Sequence, residues 1–395
     1  MKQRKLNILV LSSDYKPNLG GEAELAHQVT RELNNLGHRI LLLARKSDKH
    51  KKSDYRDNDQ IKRWLDLDKF LPIKNINTAL VWFSAMRNLL KTINKTKKKW
   101  LADIVFVTSY STWIYLALTL LRLKFVIFLH GEDVSIVTNR GLFSKWLLVL
   151  LCKQAKWIFF NSEYSRALLV RLNKSLNYRS EAVGCGVDIK PDNVIVKQET
   201  ARNLLGWKKN PVILTVAKLI MRKGIDTVIY SMPKILEKFP DCRYIVVGEG
   251  PDKGKIENLI KKMGLEEHVY LLGSVAERQK RIIYSASDIY VMVSYQGPKG
   301  EEEGFGITFL EANIHGLPVI GSRCGGIPEC VEHDVNGFLV ESKQPQQVAI
   351  AVEKLLSNSE LCRRLARNGQ KRIETKFNWP KVTRRIGERL ETIAQ

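Results

Sequence analysis

The sequence predicts an α/β protein made of two doubly wound domains facing each other across a cleft. Three observations predict it. Short, wholly apolar segments alternate with amphipathic ones along most of the chain. Glycine and proline turns punctuate them. A polar stretch around Pro191 breaks the series near the middle. Apolar runs without a two-residue alternation belong to parallel strands covered on both faces, and strands alternating with helices belong to doubly wound sheets.

In order, Leu6–Ser12 reads as a buried strand and a loop with Pro17, Gly20 and Gly21 follows it. Glu22–Leu36 reads as a helix, because Ala26, Val29, Leu33 and Leu36 share one face and Gly37 ends it. Arg39–Ala44 is the next strand, which makes a right-handed βαβ opening. Lys46–Asp59 is a polar loop. Thr78–Trp100 reads as a helix with an apolar first half and a lysine-rich end. Strands are expected at Ile104–Thr108, Phe125–Leu129 and Trp157–Asn161, with helices at Trp113–Leu121 and Ser144–Lys156.

A second series starts at the strand Val212–Val216. It continues through the helix Gly224–Phe239, the strand Arg243–Gly248, the helix Asp252–Met263 and the strand Tyr270–Leu272. The helix Ala276–Ser285, the strand Ile289–Val293, the helix Gly306–His315 and the strand Pro318–Ser322 complete it. The predicted domains are residues 1–188 and 189–375, with a C-terminal helix over 376–395 that packs back on the first domain. Sheets of this class bind ligands beyond the carboxyl ends of their strands.

Composition excludes several classes. Of 395 residues, 44% are apolar and 27% charged, as in a globular protein, and no internal repeat or low-complexity tract is present. The six cysteines form no C-x-x-C pair, which fits reduced cytosolic thiols better than a disulfide framework or a zinc site. The first residues run straight into a strand, too short for a signal peptide, so a cytoplasmic protein is expected. Thr112–Leu129 is nearly all apolar, but Arg122 and Lys124 interrupt it; a membrane span needs about 20 uninterrupted apolar residues. It reads as a buried helix feeding a buried strand.

The net charge of +23 is uneven: residues 1–188 hold 32 Lys and Arg against 16 Asp and Glu. Such a surplus implies an anionic partner (a membrane leaflet, a phosphorylated acceptor or nucleic acid) or simply a basic surface. The run Lys91, Lys95, Lys97, Lys98 and Lys99 lacks the interleaved aromatics of a nucleic-acid site. A basic helix end beside an apolar face suits a membrane surface. A solvated helix end, whose cations favour the C-terminal dipole, is the other reading.

The chemistry concentrates in Glu303-Gly304-Phe305-Gly306-Ile307-Thr308-Phe309-Leu310-Glu311. Two glutamates bracket a Gly-Phe-Gly turn at a predicted helix start. A helix start offers unpaired N–H groups and a positive dipole end, which suit phosphate. Gly304 and Gly306 admit close approach of backbone to a ligand. Glu311, about one turn into the helix, can accept both hydroxyls of a ribose, and Glu303 can hold a sugar hydroxyl.

With these residues the sequence resembles the retaining glycosyltransferases of family four, also described as glycosyl transferases group 1, which have two Rossmann-like domains in the GT-B architecture. The resemblance covers nearly the whole chain. It rests on the pair Glu303 and Glu311, on Gly316-Leu317-Pro318-Val319-Ile320, on Gly325-Gly326-Ile327-Pro328-Glu329, and on Asn336-Gly337-Phe338-Leu339-Val340. Ser287-Asp288-Ile289-Tyr290, Ala217-Lys218-Leu219 with Lys223-Gly224, and Gly248-Glu249-Gly250-Pro251 fit as well.

The resemblance implies a nucleotide-diphosphate sugar as co-substrate, with no other cofactor and no metal. It implies Lys218 and Lys223 on the donor diphosphate. The first of the pair is usually arginine, so Lys218 keeps the charge and loses the bidentate fork. It implies further that Gly20 and Gly21 form the glycine-rich loop of the N-terminal domain. His130, in His130-Gly131-Glu132-Asp133, would lie near the transferred sugar, and Val275 near the base. Asn161-Ser162-Glu163 and Gly186-Val187-Asp188 would lie at strand ends facing the cleft and before the linker. His130, Lys223 and Glu303 are thus the catalytic candidates. The donor would contact Gly20, Gly21, Lys218, Lys223, Val275, Glu303, Gly304, Phe305, Gly306, Ile307, Thr308 and Glu311.

No enzymic nucleophile stands out for a double displacement. The resemblance itself implies retention by a front-face reaction, with cations and helix amides stabilising the leaving diphosphate. Asp57-Asn58-Asp59 and Asp66-Leu67-Asp68 match a D-x-D metal pattern, but they lie in charge-rich stretches and read as solvated acids. The function expected is transfer of a hexose to a lipid-linked or cell-surface glycan at the inner membrane face. Alternatives are a soluble acceptor, a basic nucleic-acid-binding protein on the same scaffold, and a non-catalytic sugar-nucleotide sensor.

Overall fold

A computed structural model of the chain describes residues 4–15, 21–45, 61–65, 76–139, 141–188 and 196–395. It forms two compact units: residues 1–185 together with Trp379–Gln395, and residues Gly186–Asn378.

Unit 1 contains β1 (Asn7–Ser12), α1 (Gly21–Asn35), β2 (Arg39–Arg45), β3 (Ile61–Leu65) and α2 (Ile76–Trp100). After them come β4 (Ile104–Val107), α3 (Thr112–Leu120), β5 (Phe125–Leu129) and α4 (Gly131–Thr138). The series ends with α5 (Leu142–Gln154), β6 (Trp157–Phe160), α6 (Glu163–Leu172) and β7 (Ser180–Ala182). Its parallel sheet has the order β3-β2-β1-β4-β5-β6-β7. Leu9, Leu11, Val105, Ile127 and Phe160 point from it into a core shared with α2, α3 and α5. Serine caps start two of the helices: Ser111 accepts from the Ile114 amide and Ser162 from the Ser165 amide.

Unit 2 contains α7 (Gln198–Leu205), β8 (Val212–Val216), α8 (Ile225–Lys238), β9 (Arg243–Val247), α9 (Lys253–Lys262) and β10 (Val269–Leu271). Next are α10 (Glu277–Ala286), β11 (Ile289–Met292), α11 (Ile307–Ile314), β12 (Val319–Ser322), α12 (Ile327–Cys330), β13 (Gly337–Val340), α13 (Pro345–Leu356) and α14 (Ser359–Thr375). The parallel sheet runs β10-β9-β8-β11-β12-β13. The last helix, α15 (Trp379–Ala394), belongs to unit 1 and packs on α1. Arg385 binds Glu181 at 2.6 Å, Arg389 lies over the Trp157 ring at 4.0 Å, and Gly387 faces Leu33, Leu36 and His38.

Each sheet has one switch point, where the chain has gone out to one edge and returns to the other side of its first strand. It lies between β1 and β4 in unit 1 and between β8 and β11 in unit 2. Sheets of this class bind ligands beyond the carboxyl edge at such a point, where the loops diverge.

Among the described residues no helix is long and apolar enough to cross a membrane. Thr112–Leu129 splits into α3 and β5, as its two charges require. The sequence reading does not give β3, α4, α6, β7, α7 or anything between β12 and the last helix. Lys62 and Arg63 break the apolar pattern of β3, which pairs only with β2 at the sheet edge. The predicted loop Lys46–Asp59 and both D-x-D triplets fall wholly outside the described residues.

Candidate functional site

In unit 2 the loops leaving the two switch-point strands carry the cationic and acidic candidates. After β8, the chain passes Lys218 and a single tight turn, Met221–Lys223, before Gly224 opens α8. Gly224 has φ +77°, and a Cβ there would lie 2.1 Å from the Val293 carbonyl oxygen, so only glycine lets this loop touch the one after β11. The second loop holds Glu303, three residues before Gly306.

These two loops are joined by charge. Nζ of Lys223 donates to Oε2 of Glu303, with 15% and 13% of the side chains exposed. Burial opposes ionisation of Glu303, yet Lys223, and then Arg222 and the Phe305 amide, hold its carboxyl below the usual range. The Glu303 carbonyl accepts from the Gly326 amide at 2.8 Å, which ties the loop to the one after β12.

Gly306, at φ +93°, precedes α11 without a side-chain cap, so the first amides of that helix, including Ile307 and Thr308, have no capping partner from its side chain. Tyr290 donates to the Thr308 hydroxyl at 2.6 Å and turns it toward the sheet. Phe305 is only 3% exposed and packs edge-on against Phe377, so what it can offer a ligand is backbone. Gly304 is buried beside Gly326.

Glu311 lies one turn into α11 and is held from α10. Lys280 binds its Oε1 at 3.2 Å and Tyr284 donates to its Oε2 at 2.9 Å. The Tyr284 ring stacks on His315, whose Nδ1 lies 2.9 Å from the Ser285 hydroxyl. Each carboxylate oxygen has two lone pairs, so one on each remains beyond these contacts. Lys280, Tyr284 and His315 were not singled out in the sequence. Their spacing on an amphipathic helix is ordinary, and only the packing of α10 on α11 reveals them. Arg222 was missed as well; it is 8% exposed and its carbonyl accepts from the Tyr295 amide at 2.8 Å.

Lys218 is exposed after β8, and Val275 is half-buried in the loop between β10 and α10. The structure thus brings Lys223, Glu303 and the start of α11 together, places Glu311 one turn further along, and sets Lys218 and Val275 on loops at the same carboxyl edge.

In unit 1, Gly21 is the first residue of α1, and Gly20 lies outside the described residues. His130 ends β5 and precedes α4. It is 7% exposed, its Nε2 is 3.1 Å from the Thr108 carbonyl oxygen, and its ring lies against Phe128. The loop after β1 is tied to the loop after β4, since the Ser13 amide donates to the Ser109 hydroxyl at 2.7 Å. Asn161 accepts from Ser165 at 3.0 Å, a local cap of α6. Val187 pairs with Phe377 and Asn378 within unit 2. Among the described residues no three His, Cys, Asp or Glu side chains gather as a metal site would require.

Comparison with known proteins agrees with this architecture. Residues 19–190 match the model of Glycosyltransferase Family 4, and residues 197–372 that of Glycosyl transferases group 1. The chain is 29% identical over 207 residues to a GDP-mannose-dependent phosphatidylinositol monomannoside mannosyltransferase of Mycobacterium tuberculosis, covering 51% of this chain and 53% of that one. It therefore spans about half the length of that relative. It is 26% identical over 332 residues to an amylovoran biosynthesis glycosyltransferase of Erwinia amylovora, covering 82% and 78%.

Among solved structures, sucrose-phosphate synthase of Thermosynechococcus elongatus aligns with a TM-score of 0.80 at 20% identity, over 98% of this chain and 99% of that one. Anabaena HepE in complex with UDP-glucose aligns with a TM-score of 0.76 at 20% identity, over 98% and 100%. The two family matches follow one another and between them take in the unit 2 sheet and all of the unit 1 sheet but β1, and the chain belongs to the family-four glycosyltransferases of GT-B architecture.

Proposed function

We propose that this protein transfers a hexose from a nucleotide-diphosphate sugar to a lipid-linked or cell-surface glycan precursor at the cytoplasmic face of the membrane, with retention of configuration and without a metal ion. One observation carries the reading: Lys223, Glu303 and the uncapped start of α11 meet at the switch point of the unit 2 sheet, one turn from Glu311.

Unit 2 binds the donor. The ribose hydroxyls take the free lone pairs of Glu311, and the base lies toward Val275. The diphosphate takes the ammonium groups of Lys218 and Lys223 and the amides of Ile307 and Thr308, approached closely over Gly304 and Gly306. As the sugar–phosphate bond breaks, negative charge grows on the diphosphate, and these fixed donors stabilise it more than they do the intact donor. Glu303 positions a sugar hydroxyl and keeps the Lys223 ammonium in place. The leaving phosphate takes the acceptor proton, so the new bond forms on the face the old one left. Unit 1 presents the acceptor, with the glycine loop at Gly20 and Gly21 and His130 beside the transferred sugar. Support for a glycolipid or polysaccharide acceptor comes from the named relatives and from the basic surplus in residues 1–188.

Thermal shift with UDP, GDP, ADP and their sugar conjugates tests the donor half, because a ligand stabilises the state it binds. One base series is expected to raise the melting temperature, and Glu311→Ala to abolish that rise. No shift with any nucleotide would overturn the reading. Turnover is expected to persist in chelator; loss rescued by a divalent ion would remove the metal-independent step.

A further inference from the structure

Unit 1 exposes large apolar side chains in two places that the donor chemistry does not use. In the first turns of α5, Leu142 is 84% exposed, Phe143 71% and Trp146 58%. At the start of α2, Leu80 is 62% exposed, Val81 46% and Phe83 65%. Scattered exposed leucines are ordinary, but aromatic and leucine side chains clustered in the first turns of each helix form two apolar patches, one on either side of α3. α3 joins the two helices, packing against both, and Trp82 meets Trp113 edge-on at 5.2 Å.

Both helices continue from apolar to cationic along one face. On α2 the exposed stripe Leu80, Ser84, Arg87, Lys91, Lys95 and Lys98 recurs every three or four residues, which is one side of a helix. On α5 the same spacing leads from Trp146 to exposed Lys153. A protein partner would not require cations to follow the apolar turns on both helices. A bilayer does: aromatic and leucine side chains enter the acyl boundary while Lys and Arg stay among phosphates. In a parallel sheet the crossover helices run back from the carboxyl edge, so their starts lie at the edge where His130 also lies.

We propose that the apolar starts of α2 and α5, with the basic stripe that continues α2 and with Lys153 on α5, are the surface on which unit 1 rests on a leaflet of anionic phospholipid. The inference rests on the reading of a membrane-borne acceptor. It adds which side of unit 1 meets the lipid and that the acceptor edge is turned toward the headgroups.

Co-sedimentation of the full chain with vesicles of phosphatidylcholine alone, or mixed with phosphatidylglycerol, tests it. Binding is expected to the anionic vesicles and to weaken with salt. Lys91→Gln, Lys95→Gln and Lys98→Gln are expected to weaken it about fivefold each at low ionic strength. The triple variant Leu142→Ser, Phe143→Ser, Trp146→Ser alters only exposed positions and is expected to lose roughly tenfold or more. Brominated lipid should quench tryptophan emission of the wild type more than that of Trp146→Phe. Absence of binding to anionic vesicles, or unchanged binding by the triple variant, overturns the proposal. So does a concentration-dependent dimer that the triple variant abolishes while its vesicle binding persists, since the patch then joins two copies. The nucleotide thermal shift on the same preparations separates failure of docking from failure of the donor site.

Discussion

Tyr284 points its hydroxyl at Oε2 of Glu311, 2.9 Å away, while its ring lies stacked on His315 with centroids 5.4 Å apart. Burial, and next the Glu311 carboxylate, push the phenol well above its ordinary value, so it stays a donor. With Lys280 on the other oxygen, this contact fixes the plane of a carboxylate that we assign to the ribose. Tyr284→Phe removes the donor and keeps the ring. It is expected to weaken nucleotide binding roughly tenfold, the worth of a hydrogen bond to a charged group, and to change kcat little. Titration with 2′-deoxynucleotides separates orientation from general damage. The variant should bind these about as well as the wild type does, and an equal loss for both nucleotide types would refute the role.

Lys223→Ala is expected to remove most turnover, on the order of a hundredfold or more, as for loss of one preorganised electrostatic donor. It also leaves the Glu303 carboxylate largely buried without its cation, at a stability loss of roughly 1–3 kcal/mol. The double variant Lys223→Met, Glu303→Gln removes both charges. It should regain much of the stability and none of the activity, as read by urea unfolding beside a turnover assay. Wild-type transfer by Lys223→Ala would refute the assignment.

What could be read from the chain alone follows from how local each signal is. Phe125–Leu129 and Val212–Val216 appear as strands with the bounds read from sequence, because a short run of almost wholly apolar, largely β-branched or aromatic residues fits a sheet covered on both faces. The helix Glu163–Leu172 was missed, although its cap, Ser162 bonded to the Ser165 amide, is written in the sequence. The apolar periodicity behind it is weak. The start of α11 was legible through its glycines and flanking glutamates. Lys223 and Glu303 stand 80 positions apart, and their ion pair follows from the sheet order, which brings β8 beside β11. Lys280 and Tyr284 carry no signal of their own, since their target lies on another helix.

Acid should destabilise the protein in two separate windows. Burial, then Arg281 and Lys280, lower the His315 imidazole to about 4. The unfolded chain takes up that proton near the ordinary histidine value of about 6.5, and the folded chain does so only near 4. Stability is thus lost as pH falls between these values. Glu303 acts lower down. Its folded value lies below that of a free carboxyl, so its contribution is present above the unfolded value and is lost as pH falls through the folded one. Urea midpoints measured against pH should fall in both windows. His315→Asn should reduce the upper slope, leaving the share of the His38 imidazole, which burial also lowers, and Glu303→Gln should reduce the lower slope. An unchanged slope between about 6.5 and 4 in His315→Asn would contradict a neutral, buried imidazole.

Gly326→Ala tests whether the glutamate loop is held by backbone contact. The Gly326 amide donates to the Glu303 carbonyl at 2.8 Å, and a Cβ at Gly326 would lie 2.2 Å from the Gly304 carbonyl oxygen. Its φ of −86° is open to any residue, so the conflict is purely steric. Neither backbone can yield without moving Glu303 away from Lys223. We expect a stability loss of about 1–3 kcal/mol from overpacking, together with loss of the nucleotide-induced thermal shift. Gly254→Ala is the matched control: a Cβ there meets nothing within 4 Å on α9, and the change should raise stability by about 0.4–1 kcal/mol while leaving the shift intact. A Gly326→Ala protein that kept a full nucleotide response would show that the loop has another seat, and the backbone contact would lose its place in the account of the site.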